Sequence, residues 1–190
     1  MVSYVLLITS FIFFISSIFF FIKGKSKQSK LSTVGLGIAG LMYGIMAYLH
    51  SNGIETNLRV LRYFDWILTI PILLYQMYLY LNVKYQRMSV FISAVICMVF
   101  VLLFGFSGEI GWLDKTTAGL LGVMFSLYTF LAMINGMGGK NYKFYILTFG
   151  LWMFYPIVYF LSDSILIIML YSMVDLTAKL GMDTYLYLKE

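Results

Sequence analysis

The sequence predicts an all-α integral membrane protein, a seven-transmembrane helix bundle with its amino terminus outside and its carboxyl terminus in the cytoplasm. Three observations carry that prediction: an apolar composition, a succession of apolar runs of membrane length, and basic residues gathered into alternate breaks between them. Of the 190 residues, 62% are hydrophobic and 11% are charged, about half the charged share of an ordinary soluble domain. The formal net charge of +5 does not describe a nucleic-acid surface, because the basic residues sit in short breaks rather than along one face. The lone cysteine, Cys97, stands in an apolar run, excludes an internal disulfide and reads as a packing residue.

Seven runs of about 20 residues, the length that a ~30 Å hydrocarbon core demands, fall at roughly 2–22, 31–50, 59–81, 87–106, 112–134, 142–161 and 164–187. The breaks KGKSKQSK, SNGIET, NVKYQR, SGEIGW, NGMGGKNYK and SDS are too short for a soluble domain, so residues 1–190 are expected to form a single domain. The first run has no basic residue ahead of it and no small-residue cleavage pattern behind it, so it reads as a helix rather than a signal peptide. Lys23, Lys25, Lys27 and Lys30 follow it directly. With that loop inside, alternate breaks bring Lys84, Arg87, Lys140, Lys143 and Lys189 to the same side. Arg59 and Lys115 remain outside with Glu55, Glu109, Asp114 and Asp163. This is the positive-inside distribution. The 16 glycines concentrate in VGLGIAGLMYG and around the fifth and sixth helices, where small residues let helices approach closely.

Once the loops are set aside, four charges remain well inside the helices: Arg62 and Asp65 on the third, Asp175 and Lys179 on the seventh. A charge at bilayer depth costs at least a few kcal/mol and marks a functional site by default. The four sum to zero, as burial demands. Arg62 and Asp65 are three residues apart and Asp175 and Lys179 four apart, so each pair shares a helical face. Two carboxylates can therefore converge on one lysine. A lysine in an apolar pocket readily loses its proton and attacks carbonyls. Mutually neutralising ion pairs that only fix helix packing would use the same spacing, and spacing alone leaves both readings open.

RYFDWILTIPILL at 62–74, WMFYP at 152–156 and VDLTAKLG at 174–181 occur in this order on the third, sixth and seventh helices. On these motifs the chain resembles the microbial (type I) rhodopsins, bacteriorhodopsin- and proteorhodopsin-like, and its length and Phe/Ile/Tyr/Lys-rich composition resemble a short viral or protist member. The resemblance implies all-trans retinal bound covalently to Lys179 as a protonated Schiff base. Asp65 would be the primary proton acceptor and Asp175 the second counterion, with Arg62 completing a neutral quadrupole. Thr69, one turn beyond Asp65, would be its hydrogen-bond partner. Trp66, Leu73, Trp152, Tyr155 and Pro156 would line the polyene, with Met98, Tyr159 and Tyr48 beside them. Leu73, apolar at a colour-tuning position, implies green rather than blue absorption. The partners implied are retinal, the lipid bilayer of a cell or host-derived membrane, a transported proton and further copies of the chain in a trimer or pentamer. Nucleic acid, a metal site and an enzymatic activity are not expected.

The chain also departs from the family pattern. Gln76 stands where outward pumps carry the carboxylic acid that returns a proton to the Schiff base, and an amide cannot do so. Asp183, one turn past Lys179, is the candidate substitute, and a solvated residue at the helix end is the alternative. Proton release has no buried carboxylate pair on the seventh helix; Glu109 and Asp114 remain as candidates, with Asp163 in the loop. His50, the one histidine, is turned away from Tyr48 and reads as a hydrogen-bonded rim residue. Three functions are thus in play. The retained Arg62, Asp65, Thr69, Asp175 and Lys179 favour a light-driven outward proton pump, and Gln76 favours a slow photosensor. A light-gated channel finds the least support, because LSTVGLGIAGLMYGIMAYLH on the second helix contains no acid or amide.

Overall fold

The computed structural model describes residues 1–54, 57–81, 88–136, 142–161 and 164–189, and every regular element among them is helical. Glu55, Lys84, Arg87, Lys140 and Asp163, which enter the charge-bias argument, lie outside the described residues. Five helices each make one span: α1 (Val2–Lys23), α2 (Lys27–Ser51), α3 (Leu58–Leu81), α4 (Met88–Glu109) and α5 (Lys115–Gly136). The sixth span is α6 (Tyr142–Trp152) followed by α7 (Phe154–Tyr159). The seventh is α8 (Ser164–Asp175), a π-helical turn (Leu176–Leu180) and α9 (Gly181–Tyr187). Five stretches are long and apolar enough to cross a bilayer: α1, α2, α4, Lys115–Ile134 and Ile165–Tyr187. The protein is a multi-pass integral membrane protein.

Local chemistry sets where the helices start and stop. α2 begins at Lys27, inside the basic break, because Ser26 caps it by accepting the Ser29 N–H at 3.1 Å. That earlier start adds Gln28 to a helix read from sequence as free of amides. Asn57 caps α3 through the N–H groups of Arg59 (3.1 Å) and Val60 (3.4 Å). Asp114 caps α5 through the N–H of Thr117 at 3.0 Å. Gly53 and Gly111 turn the chain at φ +66° and +78°, where a Cβ would be strained. The sixth span, expected to be continuous over 142–161, breaks at Met153. Pro156 has no N–H to offer the carbonyl of Trp152 and its ring crowds that carbonyl.

The described chain forms two compact units, Met1–Thr69 with Leu161–Glu190, and Ile70–Phe160. In the first, α1 packs on α2. Val2, Leu6, Thr9, Phe13, Ser17 and Phe20 are buried at helical spacing, and the exposed stripe Tyr4, Leu7, Ile8, Phe11, Ile15 and Ile18 suits lipid. Apolar burial does not drive helix association in hydrocarbon, and two hydroxyls bridge this pair instead. Ser10 donates to the Gly40 carbonyl and Ser17 to the Thr33 carbonyl, both at 2.7 Å. In the second unit α4 packs on α5, with Phe100, Phe104 and Phe125 in mutual ring contact. Phe130 stacks on Phe149 at 3.7 Å, and the Tyr145 hydroxyl donates to the Phe130 carbonyl at 2.9 Å. A Cβ at Gly108 would collide with the Tyr159 hydroxyl and Ala118, so this close approach needs glycine.

Candidate functional site

The four intramembrane charges meet within the first unit. Arg62, Asp65 and Asp175 are fully buried and Lys179 is 2% exposed. α3 carries Arg62, Asp65, Trp66 and Thr69 one turn apart on one side, and the seventh span carries Ser172, Asp175 and Lys179. Lys179 lies in the π-helical turn, the kind of irregularity that re-aims a side chain at a functional site. It is the one buried lysine among the described residues. Its Nζ donates to Asp65 Oδ2 at 2.5 Å and stands 3.8 Å from Asp175 Oδ1. The Phe13 ring lies 5.9 Å from that Nζ and supplies an apolar wall.

The two carboxylates are held very differently. Asp175 Oδ2 accepts the Tyr43 hydroxyl at 2.6 Å and lies 3.9 Å from Arg62 Nη1. Trp66 Nε1 reaches Asp175 Oδ1 at 3.2 Å and Oδ2 at 3.4 Å. Arg62 Nη1 in turn donates to Tyr43 Oη at 2.7 Å, and Nη2 donates to the Ile168 carbonyl (3.0 Å) and Ser172 Oγ (3.3 Å). The guanidinium also sits over the rings of Tyr43 and Tyr171, at 5.2 and 5.4 Å. Asp65 has the Lys179 contact, while its Oδ1 has no hydrogen-bond partner among the described residues. Asp175 is therefore a carboxylate held by several donors, and Asp65 a carboxylate with a bare oxygen beside a lysine.

Several expectations change here. Thr69 does not bond the Asp65 carboxyl: its hydroxyl donates to the Asp65 backbone carbonyl at 2.9 Å, the one-turn-back bond open to any helical threonine. Tyr48 is 65% exposed; the tyrosine that enters the site is Tyr43. The sequence holds the signal for it, since Leu36, Ala39, Gly40, Tyr43, Met46 and Ala47 form the buried stripe of α2 and Tyr48 falls off that stripe. Trp66 acts as a donor to Asp175 and packs edge-on against Tyr63 and Tyr171. Tyr171 and Ser172 are further members that sequence reading missed, although Tyr171 stands one turn before Asp175.

The remaining candidates fall elsewhere. Of the two readings of Asp183, the solvated helix end does not hold: the side chain is 2% exposed and accepts the Ser32 hydroxyl at 2.8 Å. Leu73, Met98 and Tyr159 are buried, and Trp152, Tyr155 and Pro156 half-buried, all in the second unit. Gln76 is fully buried there too. Asp114 lies in the α4–α5 connection, where the Thr117 N–H holds its carboxyl below the usual carboxylate range. His50 is exposed and shares a 2.7 Å hydrogen bond with Ser3, as a rim residue should. No group of three or more metal-ligating side chains is found among the described residues.

The chain is similar to known proteins in sequence and in fold. The family profile described as bacteriorhodopsin-like protein matches residues 1–182. A green-light absorbing proteorhodopsin from a gamma-proteobacterium is 29% identical over 149 residues, which are 70% of this chain and 59% of that protein. Sensory rhodopsin III of Haloarcula marismortui is 29% identical over 145 residues, 70% of this chain and 62% of that one. The chain thus spans less than two thirds of the length of these relatives. The crystal structure of the viral rhodopsin OLPVRII superposes with a TM-score of 0.78 at 23% identity, over 98% of this chain and 95% of the other, which is agreement of fold.

Proposed function

This chain belongs to the bacteriorhodopsin-like family, and on that premise we propose that it is a light-driven outward proton pump with retinal attached at Lys179. Members of the family bind retinal covalently through a lysine, and they include proton pumps, chloride pumps and sensors. The residues fit that group: a buried lysine, two carboxylates to balance a cationic nitrogen, and an arginine to balance the second carboxylate. Bound there, retinal supplies a protonated Schiff-base nitrogen whose N–H changes direction on light absorption.

The observation that carries the pump reading is the asymmetry between the two carboxylates. Asp65 Oδ2 lies 2.5 Å from the Lys179 nitrogen, and no second protein donor among the described residues holds this carboxyl, so Asp65 takes up a proton at a smaller cost in protein hydrogen bonds. Protonating Asp175 weakens the bonds that it accepts from Tyr43 and Trp66, each worth about 1.5–3 kcal/mol to a charged acceptor. The proton therefore leaves the Lys179 nitrogen for Asp65, and Asp175 remains the anion that Arg62 and Tyr43 hold. Burial of the whole set keeps bulk water from short-circuiting the transfer. The exposed lysines Lys23, Lys25, Lys27, Lys30, Lys143 and Lys189 support a cytoplasmic C-terminal end, which makes transfer toward Asp65 outward.

The test is the light-induced pH change outside retinal-supplied cells. Acidification that a protonophore abolishes and Asp65→Asn removes is the expected result; a visible retinal band with no pH change refutes the pump. Gln76, buried where an outward pump carries an acid, favours the second reading, a slowly cycling photosensor. A visible band, no transport and a photocycle of seconds would support it.

A further inference from the structure

The seventh span buries one more acid, which the Lys179 site does not use. Asp183 lies in the first turn of α9, four residues beyond Lys179, about 6 Å farther along the axis at ~1.5 Å per residue. The Lys179 side chain leans the other way, toward Asp65 and Asp175. Acceptor and Asp183 therefore stand on opposite axial sides of the lysine. The charged groups on the elements packed against α9 are Lys27 and Lys30 on α2 and Lys23 at the end of α1, all exposed, with Lys179 on its own span.

Ser32 faces this acid from α2 and is itself 2% exposed. Its hydroxyl has two acceptors in reach, Asp183 Oδ1 at 2.8 Å and the Gln28 carbonyl at 3.2 Å, but one proton to give. The pair can therefore be wired in two ways. When Asp183 is ionised, Ser32 donates to it. When Asp183 is protonated, the carboxyl O–H donates to Ser32 Oγ and the Ser32 proton turns to the Gln28 carbonyl. No heavy atom moves between the two states. A carboxyl kept out of water but supplied with a partner that serves both its charge states is built to change protonation.

We propose that Asp183 is the donor that returns a proton to the Lys179 nitrogen, with Ser32 the positioning residue that follows its charge. This rests on the pump reading above. In the step the Asp183 O–H bond breaks and an N–H bond forms at the Lys179 nitrogen, the proton crossing the axial gap through water. The carboxylate left behind takes the Ser32 hydroxyl and is reprotonated from solvent past the polar start of α2, where Ser26, Gln28 and Ser29 lie. The route along α2 and α9 replaces the one that Gln76 cannot serve.

Flash photolysis of the retinal-loaded full chain tests it, following the return of the visible band together with the external pH. Asp183→Asn should slow the return by roughly 100-fold, and azide, a small diffusible proton carrier, should restore it. Asp183→Glu should keep most of the rate. Ser32→Ala should slow it by about tenfold, the worth of one hydrogen bond, and shift a carboxylic C=O stretch in the infrared difference spectrum that Asp183→Asn abolishes. A merely structural Asp183 would move neither the azide response nor that band. Pumping in the parent chain with an unchanged return in Asp183→Asn overturns the donor and spares the pump; a retinal band without external pH change overturns both. Should Asp183→Asn fail to assemble with retinal, parent-like kinetics in Ser32→Ala together with an unmoved carboxylic C=O stretch in Asp183→Glu refute the donor.

Discussion

Residues 1–69 with 161–190 bury five charged side chains, Arg62, Asp65, Asp175, Lys179 and Asp183, whereas the buried polar side chains described in 70–160 are neutral: Gln76, Ser126, Thr129 and Thr148. Both units are built from apolar helices of similar hydropathy, so apolar character does not distinguish them. The difference lies in what a substitution removes. In the first unit each charge is satisfied by another side chain from a distant part of the sequence, and deleting one strands its partner. In the second, rings and hydroxyls satisfy one another locally, as with Phe130, Tyr145 and Phe149, and a loss stays local. Chemistry and fragility thus share one half of the chain.

Lys179→Ala breaks this contrast most severely. It removes the proposed attachment point and leaves Asp65 and Asp175 facing Arg62 alone, so the visible band should vanish at any retinal concentration; a normal band in that variant would refute the site. Tyr43→Phe comes next. It strips one donor from Asp175 and an acceptor from Arg62, and should cost about 1–3 kcal/mol, read as a lower midpoint for thermal bleaching. Tyr48→Phe, on the exposed side of the same helix, should stay within about 0.5 kcal/mol, and equal losses in the two would contradict the assignment of Tyr43.

Tyr145→Phe probes the second unit. It forfeits one hydrogen bond to a backbone carbonyl, about 1 kcal/mol, and should leave the absorption maximum where it is; a shifted maximum would mean that Tyr145 itself tunes the chromophore. The smallest effect belongs to Asp114. Its folded-state carboxyl titrates below the ordinary value because the Thr117 N–H stabilises the anion. The α5 cap is therefore fully present above the ordinary carboxylate range near about 4 and is lost as pH falls below it. The amide resonance of Thr117 should report that transition and lose it in Asp114→Ala.

Much of this protein was legible along the chain. The seven spans follow from apolar run length, and Arg62, Asp65, Asp175 and Lys179 stand out because a charge in hydrocarbon is costly wherever its partners lie. That cost is a local property, so a sequence displays it. The start of α2 was misread by one turn because the Ser26 cap sits inside a basic segment, and the sixth span was read as continuous although Pro156 carried the warning.

What the tertiary structure alone decided is the identity of the partners. Tyr43 and Asp175 are 132 residues apart, and Ser32 and Asp183 are 151 apart. Whether a tyrosine at 43 or at 48 meets a carboxylate depends on which face of α2 turns inward, and whether Asp183 is wet depends on α2 covering α9. Thr69, expected on the Asp65 carboxyl, found a backbone carbonyl within its own turn instead. The sequence by itself determined that charges must be buried and neutralised here, since the energy of a charge in apolar surroundings belongs to the residue. Only the folded chain decided that Asp175 is held by Tyr43 and Trp66 while Asp65 meets Lys179, since a hydrogen bond belongs to the pair and requires both faces to be in place.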